Sequence, residues 1–466
     1  MSESLLDLDL DRAEPVLLRY AGAGPRYTSY PTAPVWSEHY GPEQLREDLG
    51  RLGPRDPLSL YVHVPFCKSL CHFCACNRVI TRDAALPARF LDDVEREIAA
   101  ARAALPEPGP VIQHHWGGGT PTHLSPLAVR RLFGAVCEGF PLAKGAEVSI
   151  EVDPRVTTPE HVEALRECGF ERISLGVQDF DPRVQAAIHR VQSVEETADL
   201  VARARDAGFA SVSFDLIYGL PFQTLESMAR TLDSVLAIGP DRIALYAYAH
   251  VTWVAKQQRG FERHDLPEPK LRLRLQLEAF RRILRSGYVH VGMDHFARPE
   301  DELARALRDR TLRRNFMGYT THAGLDLLGF GPSAISELTG AYAQSVREPD
   351  AWGEAVRERG LATLRGHRLS RDDQERRFAI GEIMCHGELR AADWKARFAS
   401  DFATRFAAEL RALDALERDG LVSVAADGSV RVSTLGRLVV RNVAMVFDAY
   451  LEGQQAAPKP LFSQTV

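Results

Sequence analysis

The sequence predicts an α/β fold, an open partial (β/α)6 barrel, on three observations. From residue 58 a short β-branched run followed by a longer amphipathic segment repeats six times. Three consecutive strands carry one polar face each. The ends of the first two strands concentrate cysteine and glycine, which bind metals or let backbone approach a ligand closely.

Strands are expected at 58–65, 111–117, 147–153, 172–178, 211–218 and 242–249. Helices are expected between them, near 86–104, 125–137, 159–168, 191–207 and 223–237. Six such units suit an open barrel better than a closed eightfold one. In the third strand Val148, Ile150 and Val152 oppose Ser149, Glu151 and Asp153. In the fourth, Ile173, Leu175 and Val177 oppose Ser174, Gly176 and Gln178; in the fifth, Val212, Phe214 and Leu216 oppose Ser213 and Asp215. Helix-covered parallel strands normally read as continuous apolar runs. A polar face therefore implies a hydrated or ligand-filled interior, with Glu151, Gln178 and Asp215 pointing into it. The alternative is a packed centre in which these groups satisfy one another.

Residues 1–57, which include Arg26-Tyr27-Thr28-Ser29-Tyr30-Pro31, read as an extended N-terminal arm. After the barrel units, a helix is expected over 268–286, stopped by Gly287, with a strand from Tyr288 to Phe296. Past residue 365 the pattern turns mostly helical, and Ser370 with Asp373 forms a helix-capping pair. Val422-Ser423-Val424, a turn at Asp427-Gly428 and Val430-Arg431-Val432 follow, a winged-helix-like arrangement. The expected organisation is an arm (1–57), a catalytic domain (58–365) and a C-terminal helical domain (366–466).

The 466 residues suffice for two or three domains, and 45% hydrophobic with 26% charged residues is ordinary for a globular protein. A net charge of −6 argues against a nucleic-acid partner. No run of eighteen apolar residues suggests a membrane span, and the opening residues lack a signal-peptide pattern, so a cytoplasmic location is expected. Seven cysteines, four of them between 67 and 76, suit metal binding or catalysis in a reducing compartment.

Cys67, Cys71 and Cys74 form a C-x3-C-x2-C loop at the end of the first strand. Iron–sulfur clusters usually take four thiolates, so three leave one iron open to a ligand. Zinc motifs usually pair two C-x2-C knuckles, and no second pair follows. Cys76 falls outside the three-ligand scheme. Cys137, Cys168 and Cys385 read as apolar fillers, and His72 lies within the loop. His114 and His115 are adjacent on a strand and must face opposite ways. Trp116-Gly117-Gly118-Gly119-Thr120-Pro121 ends the second strand beside the cysteines, where barrel sheets carry their sites.

The cysteine loop, with Phe73 before its third cysteine, resembles the radical S-adenosylmethionine superfamily. Arg26 to Pro31, Tyr61 to Asn77, WGGGTPT at 116–122, SIEVDPR at 149–155 and GVQDF at 176–180 narrow the likeness. With DLIYGLP at 215–221, MDHFARP at 293–299 and RNF at 314–316, the chain resembles the oxygen-independent coproporphyrinogen III oxidases along nearly its whole length. The resemblance implies oxidative decarboxylation of coproporphyrinogen III to protoporphyrinogen IX by radical chemistry in haem biosynthesis. It implies a 4Fe-4S cluster on Cys67, Cys71 and Cys74, and two S-adenosylmethionine molecules. Tyr61, Gly118, Glu151 and Ile335 would contact the first; Phe73, Gly119, Thr120, Gln178, Arg190, Asp215 and Ala249 the second. Tyr61, Glu151, Phe316, Met317 and Ile335 would form the catalytic set. The implied partners are a tetrapyrrole substrate and an electron donor of flavodoxin or ferredoxin type, with the protein a monomer. The alternatives are a radical enzyme acting on another tetrapyrrole and a haem-binding chaperone without turnover.

Met317 stands where the family usually has glutamine, and Leu325, Pro332 and Thr252 also depart from its pattern on the substrate side. The arm is expected to close over the barrel mouth with Arg26 meeting a substrate propionate, or else to be a surface strap.

Overall fold

The structure is a computed structural model describing residues 5–252, 255–322, 324–455 and 462. Its main sheet has twelve strands. The six expected barrel strands form at Leu58–Val64, Val111–Gly118, Leu142–Val152, Arg172–Gln178, Ser211–Tyr218 and Arg242–Ala247, all parallel and in sequence order. A seventh parallel strand, Asp326–Phe330, lies on the outer side of the first, with Gly329 opposite Tyr61. Ile335–Leu338, Ala341–Ser345 and Thr363–Arg368 continue that edge antiparallel.

The alternation in the third to fifth strands has the expected sense. Leu175 and Phe214 are fully buried and lie outside the lining of the barrel cavity. Ser149, Glu151, Ser174, Ser213 and Asp215 line a cavity inside the barrel. Two residues depart from the simple alternation. Asp153 turns to Arg155 and Arg190. Gln178 does not line this cavity: the strand shifts register after Gly176, and Gln178 takes a left-handed φ of 67°. The crossover helices follow their polar caps, with Ser125, Thr158, Ser193 and Thr224 each accepting from a first-turn backbone N–H. The helix expected at 191–207 is Val194–Asp206, preceded by a separate short helix, Pro182–Ala187, that Asp181 caps.

Two expectations change, and one feature is new. The arm is not wholly extended, because helices form at Leu10–Arg19 and Pro42–Leu49. Asp9 caps the first, and its Ala13–Leu17 face is buried. Glu14 on the same helix holds Lys270 at 2.8 Å and Arg274 at 2.8 Å on the helix Pro269–Arg285. The single strand expected from Tyr288 to Phe296 is a hairpin, Val289–Gly292 with His295–Ala297, because Met293 adopts φ 42° and reverses the chain. The edge strands 326–368 belong to the main sheet, and no sequence expectation covered them.

Beyond Thr363–Arg368, the helix Arg371–His386 begins at the expected Ser370/Asp373 capping pair. The expected hairpin gains Glu388–Leu389 as a third strand. Trp394 packs among Phe398, Phe402 and Phe406 to form the centre of this region. No helix among the described residues is long and apolar enough to cross a membrane.

Candidate active site

The first barrel strand ends at Val64, and the chain immediately makes a closed excursion. Phe66–Cys67 pairs with Val79–Ile80, Val79 N–H donates to Pro65 O at 2.7 Å, and Thr81 N–H donates to Cys67 O at 3.1 Å. Everything between is a loop with a fixed base, and it displays Cys71, Cys74 and Cys76. Cys71 is buried and receives Arg155 Nη2 at 3.5 Å and Arg190 Nη1 at 3.6 Å. Asp153 holds both arginines, at 2.6 and 3.0 Å. Burial works to raise the Asp153 pKa, but the Arg190 and Arg155 charges outweigh it and keep the carboxylate ionised.

The Thr120 hydroxyl lies 3.5 Å from Cys67 Sγ. Burial pushes the Cys67 thiol up to about 11, opposed by the Thr120 hydrogen bond and reinforced by Cys74 and Cys71. The three sulfurs are thus within electrostatic reach of one another. The Cys76 thiol bonds to Cys74, which lowers the Cys74 pKa and raises that of Cys76. Among the described residues no three His, Cys, Asp or Glu groups gather tightly enough to hold one metal ion. A four-iron cluster does not need that convergence, because each thiolate binds a different iron. The donor set, three thiols on a closed loop with guanidinium groups facing it, fits such a cluster.

The glycine run fits between this loop and Glu151. A Cβ at Gly117 would meet Glu151 Oε2 at 2.9 Å, and one at Gly119 would meet Pro65 O at 2.7 Å. Gly118 combines a φ of 121° with an N–H donated to Glu151 Oε2 at 3.2 Å. Side chains there would push the second strand away from the cysteine loop.

Inside the barrel a cavity of about 160 Å³ is lined by His115, Glu151, Asp215, Tyr246, His295 and Met317, among others. His63 donates from Nε2 to Asn77 O at 2.9 Å, leaving Nδ1 to accept the Tyr61 hydroxyl at 3.1 Å. The Tyr61 ring stacks on His115, centroids 6.0 Å apart. His115 Nδ1 meets Ser149 Oγ at 2.7 Å, and its Nε2 lies 3.6 Å from Glu151 Oε1. Burial works to raise the Glu151 pKa, yet His115 and the Gly118 N–H hold it below the ordinary carboxylate value. Asp215, which accepts from Ser174 Oγ at 3.4 Å, goes the other way: burial and the Glu151 charge push it up to about 7. The cavity therefore offers one ionised carboxylate and one that readily holds a proton.

The remaining candidates divide by place. Gln258 Nε2 donates to Phe73 O at 2.8 Å and to Ala249 O at 2.9 Å, tying the cysteine loop to the sixth strand's exit. Arg190 also donates to Gly176 O, beside Gln178. Ile335 lies outside the cavity lining, brought close behind Tyr61's neighbour Gly329, where a Cβ would meet Ile335 O at 2.4 Å. Met317 lines the cavity, whereas Phe316 packs edge-on against Trp36 (5.7 Å) and Tyr342 (5.9 Å), away from it. Pro332 is buried with its carbonyl on Asn77, Leu325 is half-buried, and Thr252 sits in a turn. Arg26 does not await a substrate group in the way expected: it pairs with Asp294 and lies over the Tyr246 ring at 5.5 Å. His114 faces outward, where Trp116 Nε1 donates to it at 2.6 Å, and His72 stacks on His189.

Gln258, His295 and Tyr246 were not singled out from the sequence. The alternation Gln113, His115, Gly117 in the second strand carries a signal for His115; nothing local marks Gln258.

Residues 61–235 match the family model described as the radical SAM superfamily. The chain is 44% identical to the oxygen-independent coproporphyrinogen III oxidase of Escherichia coli (strain K12), over 99% of this chain and all of that protein. It is 43% identical to the protein of the same name from Pseudomonas aeruginosa, over 94% of this chain and 95% of the relative. The solved structure of the Escherichia coli coproporphyrinogen III oxidase, described as a radical SAM enzyme, superposes with a TM-score of 0.90 at 43% identity. It covers 95% of this chain and 99% of its own.

Proposed function

The chain belongs to the oxygen-independent coproporphyrinogen III oxidases of the radical SAM superfamily, and from that premise we infer its reaction. It is an oxidoreductase of porphyrin and haem biosynthesis that oxidatively decarboxylates coproporphyrinogen III to protoporphyrinogen IX. It uses an iron–sulfur cluster and S-adenosylmethionine. When bound, these supply the radical chemistry that removes hydrogen from the propionate side chains.

In our reading Cys67, Cys71 and Cys74 hold the cluster and leave one iron without a protein ligand. The observation that carries this reading is the loop itself: three thiols on a closed excursion from the first strand, with Arg155 and Arg190 facing Cys71. Tyr61, Gly118, Glu151 and Ile335 would hold one of two S-adenosylmethionine molecules. Phe73, Gly119, Thr120, Gln178, Arg190, Asp215 and Ala249 would hold the other. The opposite protonation preferences of Glu151 and Asp215 support distinct tasks: Glu151 accepts hydroxyl groups, and Asp215 can also donate. Tyr61 and His63 orient one another beside Glu151, and Met317 borders the space left for substrate.

The arm (1–57), the catalytic domain (58–365) and the C-terminal region (366–466) act as one monomer. An electron donor of flavodoxin or ferredoxin type reduces the cluster. The test is an anaerobic assay with coproporphyrinogen III, reductant and S-adenosylmethionine, followed by mass analysis. Wild type should yield product lighter by two molecules of carbon dioxide and four hydrogen atoms. Cys67→Ser, Cys71→Ser and Cys74→Ser should lose both product and bound iron, while Cys76→Ser keeps its iron. Iron loss in Cys76→Ser alone would overturn the three-ligand assignment.

A further inference from the structure

Above the C-terminal ends of the fifth and sixth barrel strands lies a second, small cavity of about 30 Å³. Tyr218 and Ala247 come from those strand ends, Asp294 from the hairpin turn, Arg26 from the arm, and Arg437 and Arg441 from the C-terminal region. Three guanidinium groups thus line this space against one carboxylate, and that carboxylate is already taken. Asp294 pairs with Arg26 and accepts from His295 Nδ1 at 2.7 Å. Two further arginines, outside the lining itself, act on its residues: Arg272 on Tyr218 and Arg441, and Arg314 on Asp294. Arg314 Nη1 and Arg272 Nε are buried without a hydrogen-bond partner among the described residues. Arg314 lies over the Tyr319 ring at 4.7 Å, and its Nε donates to Arg26 O at 3.3 Å.

Cations held this way have given up hydration without full repayment, and that calls for an anion. Burial lowers Arg441 to about 10, with the Arg26 charge adding to the effect, although Arg441 Nη1 keeps Gly24 O at 3.0 Å. Burial likewise lowers Arg437, and no carboxylate opposes the shift. Tyr246 and Tyr319, the rings beneath Arg26 and Arg314, themselves line the barrel cavity that contains Glu151 and Met317. The arginine-lined space is therefore one side-chain layer from the interior, on the face where barrel sheets carry their sites.

We propose that this space is a carboxylate seat for the substrate, in which Arg437 and Arg272 take one propionate of coproporphyrinogen III while Asp294 holds Arg26 in place. The inference rests on the substrate assigned above. It transfers the propionate-binding role expected of Arg26 to arginines that have no acidic partner among the described residues. A fork-shaped guanidinium matches a carboxylate with two parallel hydrogen bonds, which an ammonium cannot reproduce.

The experiment is anaerobic equilibrium dialysis of iron-loaded protein against coproporphyrinogen III, with bound tetrapyrrole quantified after oxidation to the fluorescent porphyrin. Arg437→Ala and Arg272→Gln should each weaken binding by roughly tenfold to a hundredfold, as loss of hydrogen bonds to a charged group implies. Arg437→Lys should recover only part of that loss. The tetramethyl ester of the substrate should bind weakly to wild type and equally weakly to Arg437→Ala. Iron content and circular dichroism check the fold, and Arg437→Lys carries the comparison if Arg437→Ala does not fold. Binding within twofold of wild type in Arg437→Lys and Arg272→Gln would overturn the seat. So would an ester whose binding Arg437→Ala weakens as much as it weakens the acid. Failure of wild type to bind coproporphyrinogen III at all would instead remove the substrate assignment, and the seat with it.

Discussion

Glu151 and Asp215 share one cavity yet differ in the proton they hold, because His115 and a glycine N–H face only the first. Strand alternation made both residues legible from the sequence, since a period of two needs no knowledge of partners. His115, Tyr246, His295 and Gln258 were harder to read, because each acts through contacts across strands or between distant loops. Arg26 was read as a free cation because its partner, Asp294, lies in a turn the sequence presented as strand. At this scale the sharpest expectation concerns Glu151. Glu151→Ala should weaken S-adenosylmethionine binding by about 1.5–3 kcal/mol, the range for a hydrogen bond to a charged group. The iron–sulfur absorption should stay unchanged, since Glu151 makes no contact with Cys67, Cys71 or Cys74 among the described hydrogen bonds. Isothermal titration of the iron-loaded variant decides it; wild-type affinity would return Glu151 to a purely structural role.

Helices and barrel strands were readable because each is long enough to show its own period, and four of the crossover helices also carry a capping side chain. The edge strands between Asp326 and Arg368 span four to six residues, and what makes them strands is pairing with one another and with the first barrel strand. Glu97, on the helix Ala85–Ala104, joins the two kinds of element. It accepts from Gly331 N at 2.7 Å and from Trp352 Nε1 at 3.2 Å, and it is almost fully buried. Burial pushes its pKa from 4.5 up to about 7, against the pull of those donors. The folded form keeps the proton longer than the unfolded form. This stabilising contribution is therefore complete below about pH 4.5 and is lost as pH rises through about 7. Glu97→Ala should cost about 2–3 kcal/mol near pH 5, where it strands the buried donors of Gly331, Trp352 and Ser345, and distinctly less at pH 8. Thermal melts of both proteins at the two pH values test the sign; a penalty that grows with pH would show that Glu97 is buried as an ionised group.

The arm joins the two ends of the chain. Arg19 and Tyr20 bind Asp419 at 2.7 Å each, Tyr27 binds Asp448 at 2.9 Å, and Tyr30 accepts from the Ala449 N–H at 3.0 Å. Leu17 and Tyr30 are packed into the same core as the barrel helices. The arm is thus not a loose strap: it is tied to the C-terminal region and delivers Arg26 to Asp294. The cysteine loop, by contrast, is held from the barrel side, by Thr120, Arg155, Arg190 and Gln258. Deleting residues 1–35 should therefore separate two functions. Iron incorporation and substrate-independent cleavage of S-adenosylmethionine should survive, because the barrel holds their residues. Decarboxylation should be lost, because the arginine-lined seat and the closure above it depend on the arm. Removing the buried Leu17, Tyr27 and Tyr30 forfeits roughly 1.5–3 kcal/mol of burial per side chain and uncovers the surface they pack against, so the melting temperature should also fall, by about 10 °C or more. The assay must be run below that lowered transition, with 5′-deoxyadenosine and tetrapyrrole product measured in the same sample. A truncated protein that still decarboxylates at the wild-type rate would show that the barrel and C-terminal region close the site without the arm. Loss of iron together with activity would show that the arm's influence reaches the cysteine loop itself.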